Sequence, residues 1–139
     1  MKKTKDLLMR LVLTIRRIIY SGLLIMFITA CSSTSNQKIA ATLAAQRADM
    51  LSNIVPVSMK GYNIIRAKAN GTNIELMLLY FGNSNITPTV LAYSLKKAYC
   101  LDNEITWLMK QGVEYDLLFR DNRGHSVFEC KINHHDCVQ

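Results

Sequence analysis

The chain has 139 residues with four cysteines and three histidines, and these carry most of its reactive chemistry. Cys130, His134, His135 and Cys137 are residue types that hold zinc. Their spacing, C-x3-H-H-x-C, is not a usual zinc arrangement, and adjacent histidines tend to point apart. A core thiol, two exposed histidines and a disulfide account for the same residues, so no metal is expected. Cys130 with His125 or His134 would pair a nucleophile with a base, but no glycine-framed nucleophile turn is visible. Glu114 and Asp116 fall on the solvent side of an alternating segment, where they read as solvated charges. No glycine-rich phosphate loop is present. The expectation is a chain with no catalytic residues that is not an enzyme.

Cys31 stands in a different context. Residues 1–17 mix leucines with Lys and Arg, and residues 18–28 (IIYSGLLIMFI) are apolar and uncharged. That run is too short for a stable bilayer-spanning helix. It suits the h-region of a signal peptide, and small Thr29 and Ala30 follow it. Ile28-Thr29-Ala30-Cys31 looks like a lipobox, cut before the cysteine whose thiol then takes diacylglycerol. The expected organisation is a lipoprotein signal peptide at 1–30, a flexible tether at 31–37 and a folded domain at 38–139. Met9 is an alternative translation start. The only cofactor expected is covalent: diacylglycerol and an N-acyl chain such as palmitate on Cys31. Several acyl chains bind membranes far more firmly than one, at about 0.8 kcal/mol per buried methylene. Ser32 follows Cys31 where an aspartate would resemble an inner-membrane retention signal. The expected location is therefore the outer membrane, facing the periplasm.

The formal net charge of +7 would ordinarily suggest nucleic acid. Its placement argues otherwise. Six of the 17 basic residues precede Cys31, and the remaining 11 face 9 acidic residues, so the domain carries about +2. No nucleic-acid partner is expected.

The elements follow from periodicity. Residues 38–53 read as a helix with Ile39, Leu43, Met50 and Leu51 near helical spacing, ended by Pro56. Residues 62–69 and 72–81 flank Asn70-Gly71, a type I′ hairpin signal. Ile74, Leu76, Leu78 and Tyr80 share one face of the second strand, and Met77, Leu79 and Phe81 share the other. With two apolar faces, this strand is expected to be central and covered on both sides. Thr87-Pro88 reads as an N-cap and first helical residue, opening a helix that buries Leu91, Leu95 and Ala98 and ends near Cys100. Residues 104–110 suggest a further helical turn, with Trp107 and Met109 as candidate surface groups. Residues 113–120 and 126–132 alternate around the turn at 121–124, giving a second hairpin. The order helix, hairpin, helix, hairpin implies a small α+β domain with a mostly antiparallel sheet of about four strands and two main helices.

With Cys31 assigned to lipid in an oxidising compartment, one disulfide and one spare thiol are expected. Cys130 lies in the inward register of the last strand with Phe128 and Ile132, where a small buried thiol fits. Cys100, at a helix end, therefore pairs with Cys137 in the tail. The bridge closes a loop of about 37 residues, worth roughly 3–4 kcal/mol by loop entropy.

The sequence of features resembles the pilotins of type II secretion systems, of the AspS/GspS-beta kind. The resemblance rests on Gly61-Tyr62, Gly71-Thr72, Thr87-Pro88, Cys100, Met109 to Gly112, Tyr115 and Cys137, and it spans nearly all of the chain after Cys31. It implies the same disulfide, since cysteines matching Cys100 and Cys137 are bridged in that family. Cys130 departs from the family pattern. The resemblance also implies a function. A pilotin binds the C-terminal helical segment of its secretin, the ring-forming outer-membrane channel, and escorts it there through the lipoprotein sorting machinery. A helix seated in an apolar groove is the expected recognition mode. Met77, Leu79 and Phe81 are the candidate lining, with Tyr93 and Trp107 as rims. The alternative function is a structural surface lipoprotein with no secretin client.

Overall fold

The computed structural model describes residues 32–82 and 85–138. The expected signal peptide and lipidation site, Cys31, lie outside those residues. The chain divides into two compact units, Met1–Ser35 and Asn36–Gln139, and the account below concerns the second.

Helix α1 (Ser32–Ser52) is followed by β1 (Val57–Met59), β2 (Tyr62–Asn70) and β3 (Asn73–Tyr80). Helices α2 (Pro88–Leu101) and α3 (Asn103–Lys110) lead to β4 (Glu114–Arg120), β5 (Ser126–Ile132) and a 3-10 turn (His134–Cys137). The five strands form one sheet in chain order. Every pairing is antiparallel except β3 with β4, which run parallel. Parallel neighbours need a long crossover, and α2 and α3 supply it.

Alternation along the strands decides which face is packed. Tyr62, Ala67, Ile74, Leu76, Leu78, Tyr115, Leu117, Phe119 and Ile132 are buried on one face. They share one core with Leu91, Leu95, Ile105, Leu108 and Met109 from α2 and α3, and with Ala44 and Ala48 from α1. The helices therefore cover a single face. Met77, Leu79 and Leu118 on the opposite face are only half-buried. β3 is central, as expected, but among the described residues the helices cover it on one side only. The flanking Lys131–Glu114 and Arg120–Glu129 ion pairs, at 2.8 and 3.7 Å, are the polar edge of that open face.

Several local expectations change. α1 begins at Ser32, so residues read as a tether form its first turns; no proline or glycine interrupts the stretch. Its buried stripe is Ala40, Ala44 and Ala48, while Ile39 and Met50 are exposed. Alanines at i, i+4 spacing let the helix axis approach closely: a Cβ on Gly112 would stand 3.5 Å from that of Ala40. In α2, Ala92 is buried and Ala98 exposed. In α3, Met109 is buried while Trp107 faces outward. The sheet has five strands because β1, only three residues long, pairs with β2 around Lys60-Gly61. Both turn residues there have positive φ, as a type I′ turn requires. The β2–β3 turn is instead Gly71-Thr72, since Asn70 pairs with Asn73 and only Gly71 has positive φ (61°). Glycine first is the type II′ pattern.

Candidate functional site

α2 starts as its sequence demands. The hydroxyl of Thr87 accepts from the N–H of Val90 at 3.4 Å, and Pro88 occupies the first turn. Leu91, Ala92 and Leu95 turn inward. The remaining positions leave Tyr93, Lys97 and Leu101, four residues apart, along the outer side. Tyr93 is 72% and Leu101 76% exposed. Asp102 ends α2 and caps α3, its carboxylate accepting from the N–H of Ile105 at 2.9 Å.

The tail packs beside this outer stripe. Cys137 is bridged to Cys100 with the Cα atoms 5.2 Å apart. Asn133 and Asp136 form a reciprocal capping box, in which Asp136 accepts from the N–H of Asn133 and the side chain of Asn133 accepts from the N–H of His135. Lys96 donates to Asp136 at 2.5 Å. Partial burial pushes the Asp136 carboxyl up, but the bond from Lys96, the N–H of Asn133 and the charge of Lys96 outweigh it and hold the pKa below 3.8. Between α2 and the turn lies an open groove of about 470 Å³, lined by Tyr93, Lys96, Lys97, Cys100, Leu101, Asp136 and Cys137. Two exposed apolar groups, two lysines and a covalently fixed floor make it a surface suited to binding.

A second, smaller apolar cavity of about 170 Å³ lies among Leu51, Ile54, Val55, Val57, Ile64, Leu76 and Tyr99. Near it, the ring of Tyr99 meets that of Tyr115 edge-on at 4.9 Å. Burial raises the pKa of Tyr115 and the guanidinium of Arg47 opposes that rise. Among the described residues, the Tyr115 hydroxyl and Arg47 Nε are buried without a well-aligned hydrogen-bond partner.

The five candidate binding residues are not brought together. Met77 and Leu79 lie on the open sheet face, and Phe81, 55% exposed, directly follows β3. Tyr93 and Trp107 sit on the helices that cover the other face. A strand and a helix packed on it cannot both present side chains to one groove when the strand residues point away from the helix. Of the five, only Tyr93 lines the groove beside α2. Lys96, Lys97, Leu101 and Asp136 were not expected there, although the 93–97–101 spacing was a legible signal for one helix face.

The cysteine assignment agrees with the sequence reading: Cys100 and Cys137 are joined and Cys130 is free. Cys137 is thus unavailable as a zinc thiolate, and among the described residues no group of three His, Cys, Asp or Glu could hold a metal. Partial burial raises the pKa of Cys130, with Lys96 opposing and Asp136 and Asp116 adding to it.

Comparison with known proteins places this geometry. A family model described as "Type II secretion system (T2SS) pilotin, S protein" matches residues 36–137. The "Lipoprotein YghG" of Escherichia coli (strain K12) is 23% identical over 112 residues, covering 79% of this chain and 81% of that protein. The pilotin EpsS from the Vibrio vulnificus type 2 secretion system superposes with a TM-score of 0.71 at 20% identity, covering 76% of this chain and 98% of that one. The type II secretion pilotin AspS of Vibrio cholerae gives a TM-score of 0.69 at 26% identity, covering 76% and 99%. With the match running from α1 to the bridged Cys137, the chain belongs to the type II secretion system pilotin, S protein, family.

Proposed function

We propose that the chain is an outer-membrane lipoprotein that binds the C-terminal helical segment of a type II secretin and carries it to the outer membrane. Membership of the pilotin family supports the secretin partner, and the lipoprotein name of a relative supports an anchor at Cys31. Lipid on Cys31 faces the protein to the periplasm and hands it to the lipoprotein sorting machinery. The role is one of binding and delivery.

The groove along α2 carries the assignment of the partner surface. Tyr93 and Leu101, eight residues apart on one helix, offer apolar contacts over about 12 Å, or two turns. That matches two anchors on an amphipathic helix laid alongside. Lys97, exposed beside the Lys96–Asp136 pair, favours an acidic flank on it.

The test is fluorescence anisotropy with a labelled peptide of the last residues of the cognate secretin. Tyr93→Ala and Leu101→Ser are each expected to weaken binding about tenfold, as buried interface anchors do. Met77→Ser and Leu79→Ser are expected to leave it unchanged. No binding by the unmodified chain sinks the pilotin reading. Loss through Met77 and Leu79 with Tyr93 and Leu101 silent moves the site to the open sheet face.

A further inference from the structure

The two edges of the sheet are guarded unequally. β1 has three residues and follows Pro56, and a short strand beside a proline offers little to pair with. β5 has seven residues with neither proline nor glycine, and no described strand lies on its outer side. The direction of its backbone groups follows from β4. Glu114 donates its N–H to the carbonyl of Thr72 at 3.1 Å, toward β3. Alternation then turns the polar groups of Tyr115, Leu117 and Phe119 toward β5, and those of their partners Ile132, Cys130 and Phe128 back toward β4. Glu129 and Lys131 therefore aim their N–H and C=O groups at the free edge, where no described group bonds them.

The strand is complementary to its own reverse. In an antiparallel pair of two β5 strands centred on Cys130, Glu129 opposes Lys131 of the second copy and Lys131 opposes its Glu129. Phe128 opposes Ile132 in the same way. Edge-facing residues must meet edge-facing residues, so neighbouring registers differ by a two-residue shift. Those registers set Glu129 against Glu129 or Lys131 against Lys131, and like charges directly opposite are destabilising. We propose that β5 docks a second copy of this chain, edge to edge, with the two-fold axis at Cys130. Both Glu129–Lys131 pairs then exchange N–H···O bonds in each direction, and the sheet continues across the pair. This is an isologous contact, closed by symmetry. At the axis the two Cys130 residues form a non-hydrogen-bonded pair, about 4.5 Å between Cα atoms. That distance is within the reach of a disulfide.

The full chain in detergent, with micelles in excess over protein, is treated with copper-phenanthroline in air. Two Cys130 thiols lose two protons and two electrons to dioxygen, giving one disulfide and hydrogen peroxide. A disulfide-linked dimer is expected, absent from Cys130→Ser. Sedimentation of Cys130→Ser is expected to show a reversible dimer that grows with concentration. Glu129→Lys sets two like-charged pairs across the axis and should weaken that dimer about tenfold. Adding Lys131→Glu to it should restore the dimer to within about twofold. Thermal melts of each variant verify folding. A chain that stays monomeric and uncrosslinked overturns the proposal, as does a dimer indifferent to Glu129→Lys or not restored by the double exchange. If a secretin peptide protects the Glu129 and Lys131 amides from hydrogen exchange in a monomer, the edge belongs to the secretin and the proposal fails. Peptide binding by Glu129→Lys, expected to equal that of the unmodified chain, keeps this outcome separate from the pilotin reading.

Discussion

Replacing both bridged cysteines with serine tests what fixes the tail to α2. Cys100 and Cys137 are 37 residues apart in sequence. The chain-entropy relation for a loop of that length gives about 13 cal/mol/K, or about 4 kcal/mol at 25 °C. A domain of this size is stable by roughly 5–15 kcal/mol in total. At about 4–8 °C per kcal/mol, the melting temperature of Cys100→Ser/Cys137→Ser should fall by roughly 15–30 °C. The Lys96–Asp136 pair and the Asn133–Asp136 capping box stay in the variant and hold part of the tail in place, which favours the lower half of that range. The assay is thermal melting by circular dichroism, with the unmodified chain measured with and without reductant. The reduced chain should melt with the serine variant. Because Cys137 also floors the groove, secretin-peptide binding should weaken even well below the melting temperature. A fall under about 4 °C would refute the reasoning, since the tail would then stay docked without the bridge. An equal fall for Cys130→Ser alone would also refute it.

Gly112 has φ of +94°, so Gly112→Ala should destabilise by about 1–2 kcal/mol, read from the urea midpoint. The added Cβ would meet Ala40 at ordinary contact distance, which leaves backbone strain as the cause. Asp102→Ala removes the carboxylate that caps α3 and should lower stability by about 1 kcal/mol in the same assay. Asp136 has a folded pKa below its ordinary 3.8, so its contribution is present above that value and is lost as pH falls through the folded pKa. Asp136→Asn should therefore lower the melting temperature near neutrality and flatten its decline below about pH 4, and an unchanged acid limb would contradict this.

The strands were legible because large side chains alternate without ambiguity in residues 113–120 and 126–132. β4 and β5 sit within one residue of those bounds. α2 was legible from chemistry at its first residues: Thr87 has an oxygen to cap with, and Pro88 has no N–H to lose. α1 was harder. Hydrophobic size pointed to Ile39 and Met50, whereas the fully buried positions are Ala40, Ala44 and Ala48, with Leu43 and Leu51 packed at the margin of the core. β1 escaped notice because three residues carry no period, and its turn was marked only by Lys60-Gly61. The groove escaped because its lining comes from two segments about 40 residues apart, joined only by the fold.

By itself the sequence determined the order of the main elements, the α+β class and the pairing of Cys100 with Cys137, and it alone carries the lipobox expectation at Cys31. These depend on local pattern, turn chemistry and the elimination of an inward-facing Cys130. Only the tertiary structure decided that β3 and β4 run parallel, that the helices cover one face, and that Tyr93 parts company with Met77, Leu79, Phe81 and Trp107. A strand with two apolar faces looks the same in sequence whether one side or both are covered. Which side the crossover helices take is a property of the whole chain.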